Sequence, residues 1–289
     1  WVASSDYKED IRISDEIIKG LSDTYRKIRN TIRFLLGNIC DFQIEKALVY
    51  KDMQEIDKYA LSGLQHLVSS MTTAYESYEF HKAATYINNF CTVFLSGFYL
   101  DVLKDTLYCD KKCSRERKSA QAAIFEICSV IIRLISPILS FTAEEAWREV
   151  IKLVPNLPMS VFLADFPETN SKYILPVETL KKWEKILHVR KEVLSVYEKL
   201  RQAKLIGSNL EASLDIIYGG KYNEFFKDLK FVDLILGTCD IKCNISKKED
   251  DLVIKAARSE YKKCVRCWRY IEGIKDNLCP RCLEVVSNK

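Results

Sequence analysis

The sequence predicts a mainly α fold: an antiparallel helical bundle, then a small α/β domain, then a four-cysteine knuckle at the C-terminal end. Three observations carry that reading. Over the first half of the chain, apolar residues recur at three- and four-residue spacing between short connections, which is the pattern of helices packed side by side. After Gly207 the pattern changes to short β-branched or alternating runs. The stretch 264–282, CVRCWRYIEGIKDNLCPRC, then holds two Cys-x-x-Cys pairs separated by eleven residues.

Each element has its own justification. Residues 1–13 precede the first helical pattern. In 14–38, Ile17, Ile18, Leu21, Tyr25, Ile28, Ile32, Leu35 and Leu36 gather on one side at 100° per residue, with Ser14 as N-cap and Gly37 as stop. The opposite side carries Lys19, Arg26, Arg29, Asn30 and Arg33. A second helix fits 57–79, and a third fits 80–106, with Ile87, Cys91, Phe94 and Phe98 on one face. A fourth, 114–136, ends near Pro137, because proline disfavours helical geometry in the residue before it. Thr142 and Glu145 have capping-box spacing and open a further short helix, completing a bundle over 14–153.

Residues 154–177 contain four of the six prolines and lack a helical period, so they read as a strap. A helix from 178 to 204, with Trp183, Ile186, Leu187, Val193, Val196 and Leu200 inward, joins the bundle to the C-terminal part within a segment 178–206. In the mixed domain, 207–258, the runs at 212–218, 231–237 and 251–257 read as strands, and 221–229 as a short helix. The knuckle occupies 259–289.

Composition excludes several classes. With 48% apolar and 29% charged residues the chain is an ordinary globular one, not a disordered one. A formal charge of +4 leaves any basic surface to local clustering. No run of about 18 apolar residues appears, and no secretory signal, so the reading is a protein without membrane attachment. Residue 1 is Trp and the first methionine is Met53, which points to a fragment. Of the eleven cysteines, Cys40, Cys91 and Cys128 sit alone in apolar helical context, as small hydrophobes of a reducing cytoplasm.

Zn²⁺ asks for four soft ligands at tetrahedral positions, and each Cys-x-x-Cys turn supplies one edge of that tetrahedron. Cys264, Cys267, Cys279 and Cys282 therefore predict one structural zinc in a ribbon or knuckle. Four thiolate ligands leave no open position for Lewis-acid chemistry. The segment is too small to fold on apolar burial alone, which is sufficient reason for the metal. Around it crowd Lys255, Arg258, Lys262, Lys263, Arg266 and Arg269, with Trp268 and Tyr270 interleaved, a mixture that suits phosphates and unpaired bases. The competing reading makes Trp268 a cap on the small core and the lysines a wet face. The pairs Cys109/Cys113 and Cys239/Cys243 are weak metal candidates. His66, His81 and His188 are scattered, and neither a phosphate-cradling glycine loop nor a clustered acid pair is present. The chain reads as lacking a catalytic centre.

WVASSDYKEDIRISDEI (1–17), YRKIRNTIRFLLGNICDF (25–42), AYESYEFHKA (74–83), FYLDVLKD (98–105), SPILSFTAEEAW (136–147) and CVRCW (264–268) together resemble the bacterial-type isoleucyl-tRNA synthetases over essentially the whole chain. The resemblance implies that 1–13 are the tail of a catalytic domain. It makes the bundle an anticodon-binding domain of the class I synthetase type, and the knuckle the zinc module that completes anticodon recognition. It implies tRNA(Ile) as partner, chiefly through the anticodon stem-loop, with ATP and Mg²⁺ used only by a catalytic part outside this chain, and a monomer. By position it marks Arg266 and Trp268 as anticodon contacts, Arg12 as a tRNA contact near the domain junction, and Arg26, Arg29, Asn30 and Arg33 as tRNA contacts of the first helix. Val265 departs from the small, charged or proline residue expected there. Two other classes compete: a DNA-binding module of a repair enzyme, some of which end in a similar finger, and a zinc-stabilised scaffold for protein partners.

Overall fold

A computed structural model describes residues 1–238 and 240–287. Its contacts divide the chain into two compact units, Trp1–Asp101 with Lys112–Leu175, and Val102–Lys111 with Pro176–Lys289.

The first unit is the helical bundle. α1 (Asp15–Asn38) starts where Ser14 Oγ accepts from the Ile17 N–H at 3.3 Å, as its cap position predicts. Ile28, Thr31, Ile32 and Leu35 are buried, whereas Ile17 and Ile18 are exposed, so only the last part of the apolar stripe enters the core. Gly37 does not stop the helix: it keeps a negative φ and α1 runs one residue past it. α2 (Glu55–Glu76) is followed by a rod made of α3 (Phe80–Asn89) and a π-helical segment Phe90–Tyr99; α4 (Leu100–Cys109) comes next in the chain, its residues 102–109 belonging to the second unit. Gly63 of α2 lets the rod approach, since a Cβ there would stand 2.7 Å from Phe94 Cζ. Within the π segment Phe90, Phe94 and Phe98 pack ring on ring at 5.0 and 6.2 Å.

α5 (Arg115–Ile135), capped by Ser114, is the central helix, with almost every residue from Ser119 onward buried. One buried polar network ties three elements together. Asp57 of α2 accepts from Tyr99 Oη at 2.6 Å and from Ser119 Oγ of α5 at 2.5 Å, and Ser119 Oγ in turn accepts from the Gln54 N–H. α6 (Ser140–Leu153) begins before Thr142, which corrects the capping-box expectation. Thr142 Oγ1 meets Tyr25 Oη at 3.0 Å and Glu145 faces Arg29, so both residues serve tertiary contacts instead. The strap is tied down by side chains: Trp147 Nε1 donates to the Pro158 carbonyl at 2.9 Å, and Gln65 Oε1 accepts from the Asn170 N–H at 2.7 Å.

In the second unit, α7 (Val177–Gln202) buries Trp183, Ile186, Val189, Arg190, Val193 and Tyr197. β1 (Ala212–Tyr218) is the middle strand of a three-stranded sheet and alternates buried with more exposed positions. α8 (Asn223–Phe226) follows, placing Phe226 on the Tyr218 ring at 4.2 Å. The run at 231–237 is a helix, α9 (Leu229–Leu236), not a strand. Asp228 Oδ1 accepts from the Lys230 and Phe231 N–H groups, and Gly237, at φ 74°, closes the other end. Arg190 and Tyr197 of α7 donate to the Ile235 and Leu236 carbonyls at that end. β2 (Asp240–Ile245) pairs parallel with β1, and β3 (Leu252–Arg258) antiparallel. α10 (Pro280–Ser287) closes the knuckle. Among the described residues no helix is long and apolar enough to cross a membrane.

Candidate metal centre and nucleic-acid interface

The four cysteines converge from two turns. The first is pinned by Trp268 N–H to the Cys264 carbonyl and Cys264 N–H to the Arg269 carbonyl, both at 2.9 Å, and the second by a bridge between Lys275 and Leu278. Their Sγ atoms lie within 4.8 Å of one another, and all four residues are buried. A tetrahedron of sulfurs about 2.3 Å from a zinc ion has edges of about 3.8 Å. The Cys267 and Cys279 Sγ atoms stand 3.8 Å apart. Thiolates packed this closely need a cation. Burial pushes the Cys267 and Cys282 thiols upward, whereas at Cys264 the backbone N–H groups of Cys267, Cys279 and Arg266 overcome burial and hold the thiol below its usual range. The donor set, its spacing and its apolar surround of Ile271, Ile274 and Leu278 fit a structural zinc.

Trp268 does not cap that core. Its side chain is 62% exposed, its φ is 64°, and Lys263 Nζ stands 5.1 Å from its ring centroid. The knuckle thus presents an indole and a cation to solvent together. Arg266 faces the other way: it is half-buried, and its Nη1 donates to the Cys109 carbonyl at 2.6 Å and to Cys282 Sγ at 3.3 Å. Sequence reasoning placed Arg266 beside Trp268 as a contact to bases, but the one side chain points into the module and the other out of it. Residues missed altogether are Arg281, which forks onto Asp105, and Asp105 itself. Their signal was faint, since each is an ordinary surface residue type until the fold pairs them.

In the first unit, α1 keeps Arg26, Asn30 and Arg33 on its exposed side. Arg26 is paired with Asp23 at 3.1 Å. Arg29 leaves that stripe: it forms a two-pronged pair with Glu145 at 2.7 and 2.9 Å and touches Tyr25 Oη, which fixes α1 to α6. Arg12 is exposed, and its carbonyl accepts from Trp1 Nε1 at 3.2 Å.

The remaining candidates resolve simply. Cys109 packs against the four zinc cysteines, whereas Cys113 is exposed and belongs to the first unit. Cys91 and Cys128 are buried, but Cys40 is exposed, a correction explained by its place just beyond the end of α1. Cys239 lies outside the described residues. His81 is 3.8 Å from Asp6 and His188 stacks on Tyr222.

Two family models match. The anticodon-binding domain of tRNA ligases covers residues 57–217, over half of the chain, and a zinc finger found in FPG and IleRS covers 262–285. The chain therefore belongs to the anticodon-binding domain family of tRNA ligases. Its relatives narrow the class. Isoleucine–tRNA ligase of Desulforamulus reducens is 39% identical over 99% of this chain, and those of Caldicellulosiruptor saccharolyticus and Caldanaerobacter subterraneus are each 40% identical over all of it. The chain spans about a third of the length of these curated relatives, 32%, 32% and 33% respectively. The finger alone is shared with FPG; the match across the bundle is what disfavours the repair-module reading.

Proposed function

We propose that this chain selects tRNA for an isoleucine–tRNA ligase by reading the anticodon stem-loop of tRNA(Ile). The observation that carries the proposal is the solvent-facing Trp268 beside Lys263 on a metal-held turn, since an unpaired base stacks on an indole while a cation holds the adjacent phosphate. Arg12, Arg26, Asn30 and Arg33 supply further phosphate contacts from the exposed side of the first unit, while Arg29 holds that unit's helices in place. The parent ligase, a cytoplasmic monomer, activates isoleucine with ATP and Mg²⁺ and esterifies it to tRNA(Ile) in its catalytic part. Here the zinc holds shape, and this chain's residues bind and orient RNA.

The test is binding of the zinc-loaded chain to tRNA(Ile) and to tRNAs with other anticodons at fixed low salt. Preference for tRNA(Ile) is expected, and Trp268→Ala should weaken it by about tenfold or more, the worth of one stacked base, while zinc stays at one per chain. Equal affinity for all tRNAs, or for duplex DNA, overturns the reading. Loss of zinc in the variant returns Trp268 to a purely structural role.

A further inference from the structure

Each zinc turn carries an arginine between its cysteines, and both arginines reach one distant stretch of chain. Arg266, between Cys264 and Cys267, donates to the Cys109 carbonyl at the end of α4 and to Cys282 Sγ. Arg281, between Cys279 and Cys282, forks onto Asp105 of α4 at 2.6 and 2.7 Å and reaches Asp110 at 3.1 Å. Arg269, just past the first turn, stands 3.5 Å from the same Asp105 carboxylate. Cys109 itself is buried against the four thiols. Asp105 is mostly buried, and although burial works to raise its carboxyl, the Arg281 fork holds it below its usual range.

The charges follow one order. A zinc ion with four thiolates is two units negative, three guanidinium groups lie around or beside it, and two aspartates of 102–111 lie beyond them. A cation close to both a metal thiolate and a carboxylate stabilises each, and a half-buried arginine deprived of either partner is less well compensated.

We propose that Asp105, Arg266 and Arg281 are positioning residues that couple zinc retention to the docking of residues 102–111. The zinc then organises two stretches of chain more than 150 residues apart in sequence, not merely its own knuckle. Arg266 holds the Cys109 carbonyl and Cys282 Sγ at once, so releasing Cys282 from a shared metal frees the arginine that fastens the end of α4. By linkage, loosening α4 weakens zinc affinity by the same coupling.

Three measurements on the full chain, none involving RNA, test this. Hydrogen exchange of the wild type before and after zinc extraction should show faster exchange across 102–111 as well as 262–287. Competition with a colorimetric chelator should show zinc affinity about tenfold weaker or more in Asp105→Asn than in wild type, the usual scale for a partner of a metal ligand, with Glu149→Gln at the exposed Lys152 pair of α6 unchanged. In the Co²⁺-substituted chain, Arg266→Ala should move the thiolate-to-metal charge-transfer band to lower energy, because an N–H···S bond withdraws electron density from Cys282. Exchange in 102–111 indifferent to zinc overturns the coupling, and needs no variant to fold. An Asp105→Asn zinc affinity equal to wild type removes Asp105 from it. An unmoved cobalt band removes Arg266.

Discussion

The bundle and the knuckle hold their shape by opposite means. In the bundle, α5 disappears into apolar neighbours over most of its length and polar groups are few; one network around Asp57 serves three elements. In the knuckle almost every buried side chain is a cysteine, and arginines join the parts. The difference follows from size. The hydrophobic effect grows with the area that can be enclosed, and the knuckle encloses too little. Directional bonds to a metal replace area, which also frees the surface to carry an exposed indole.

The largest expected effect separates the two means outright. Stripping zinc with a chelator should abolish protection throughout 262–287 while the bundle keeps its helical circular dichroism and cooperative melting; collapse of both would show that the bundle's core is not self-sufficient.

A smaller effect lies within the bundle. Burial raises the Asp57 carboxyl from 3.8 to about 6, against the hydrogen bonds from Ser119 and Tyr99. The folded state therefore holds this proton more tightly than the unfolded one. Its contribution is full below about pH 4 and is lost as pH rises through about 6, on the order of 3 kcal/mol in all. Urea unfolding of wild type against Asp57→Asn should show the wild type losing that advantage between pH 4 and pH 7. A constant difference across the range would mean that the carboxyl is ionised throughout.

The smallest effect concerns the bundle's edge. Ser14→Ala removes the α1 cap and should cost about 1 kcal/mol in the same unfolding measurement, with zinc affinity untouched.

Legibility in the sequence divides along the same line. Ligand spacing is local, so Cys264, Cys267, Cys279 and Cys282 were readable directly, as were the cap Ser14 and the strand β1. The π segment was not, because a template of 3.6 residues per turn sees Phe90–Tyr99 as a continuous helix. The α9 run was mistaken for a strand because its apolar alternation outweighed the caps Asp228 and Gly237 on either side. β2 gave no signal, since its residues are only half-buried or exposed. The roles of Arg29, Thr142, Glu145 and Arg266 depend on partners between 16 and 157 residues away. A charge pattern identifies such residues as cations or caps, but their direction is decided by packing.

Trp268 occupies a backbone position with φ 64°, where glycine or asparagine rests easily and a bulky residue is an outlier. If folding were the only demand on residue 268, the chain would do better with its smallest side chain than with its largest. Trp268→Gly should accordingly melt higher than wild type, the turn gaining more from relaxed geometry at φ 64° than the unfolded chain gains in freedom; a lower melting temperature would show that the indole itself stabilises the knuckle. A gain in stability on replacing Trp268, with the knuckle's exposed indole gone, is the outcome expected if residue 268 is kept for what it touches.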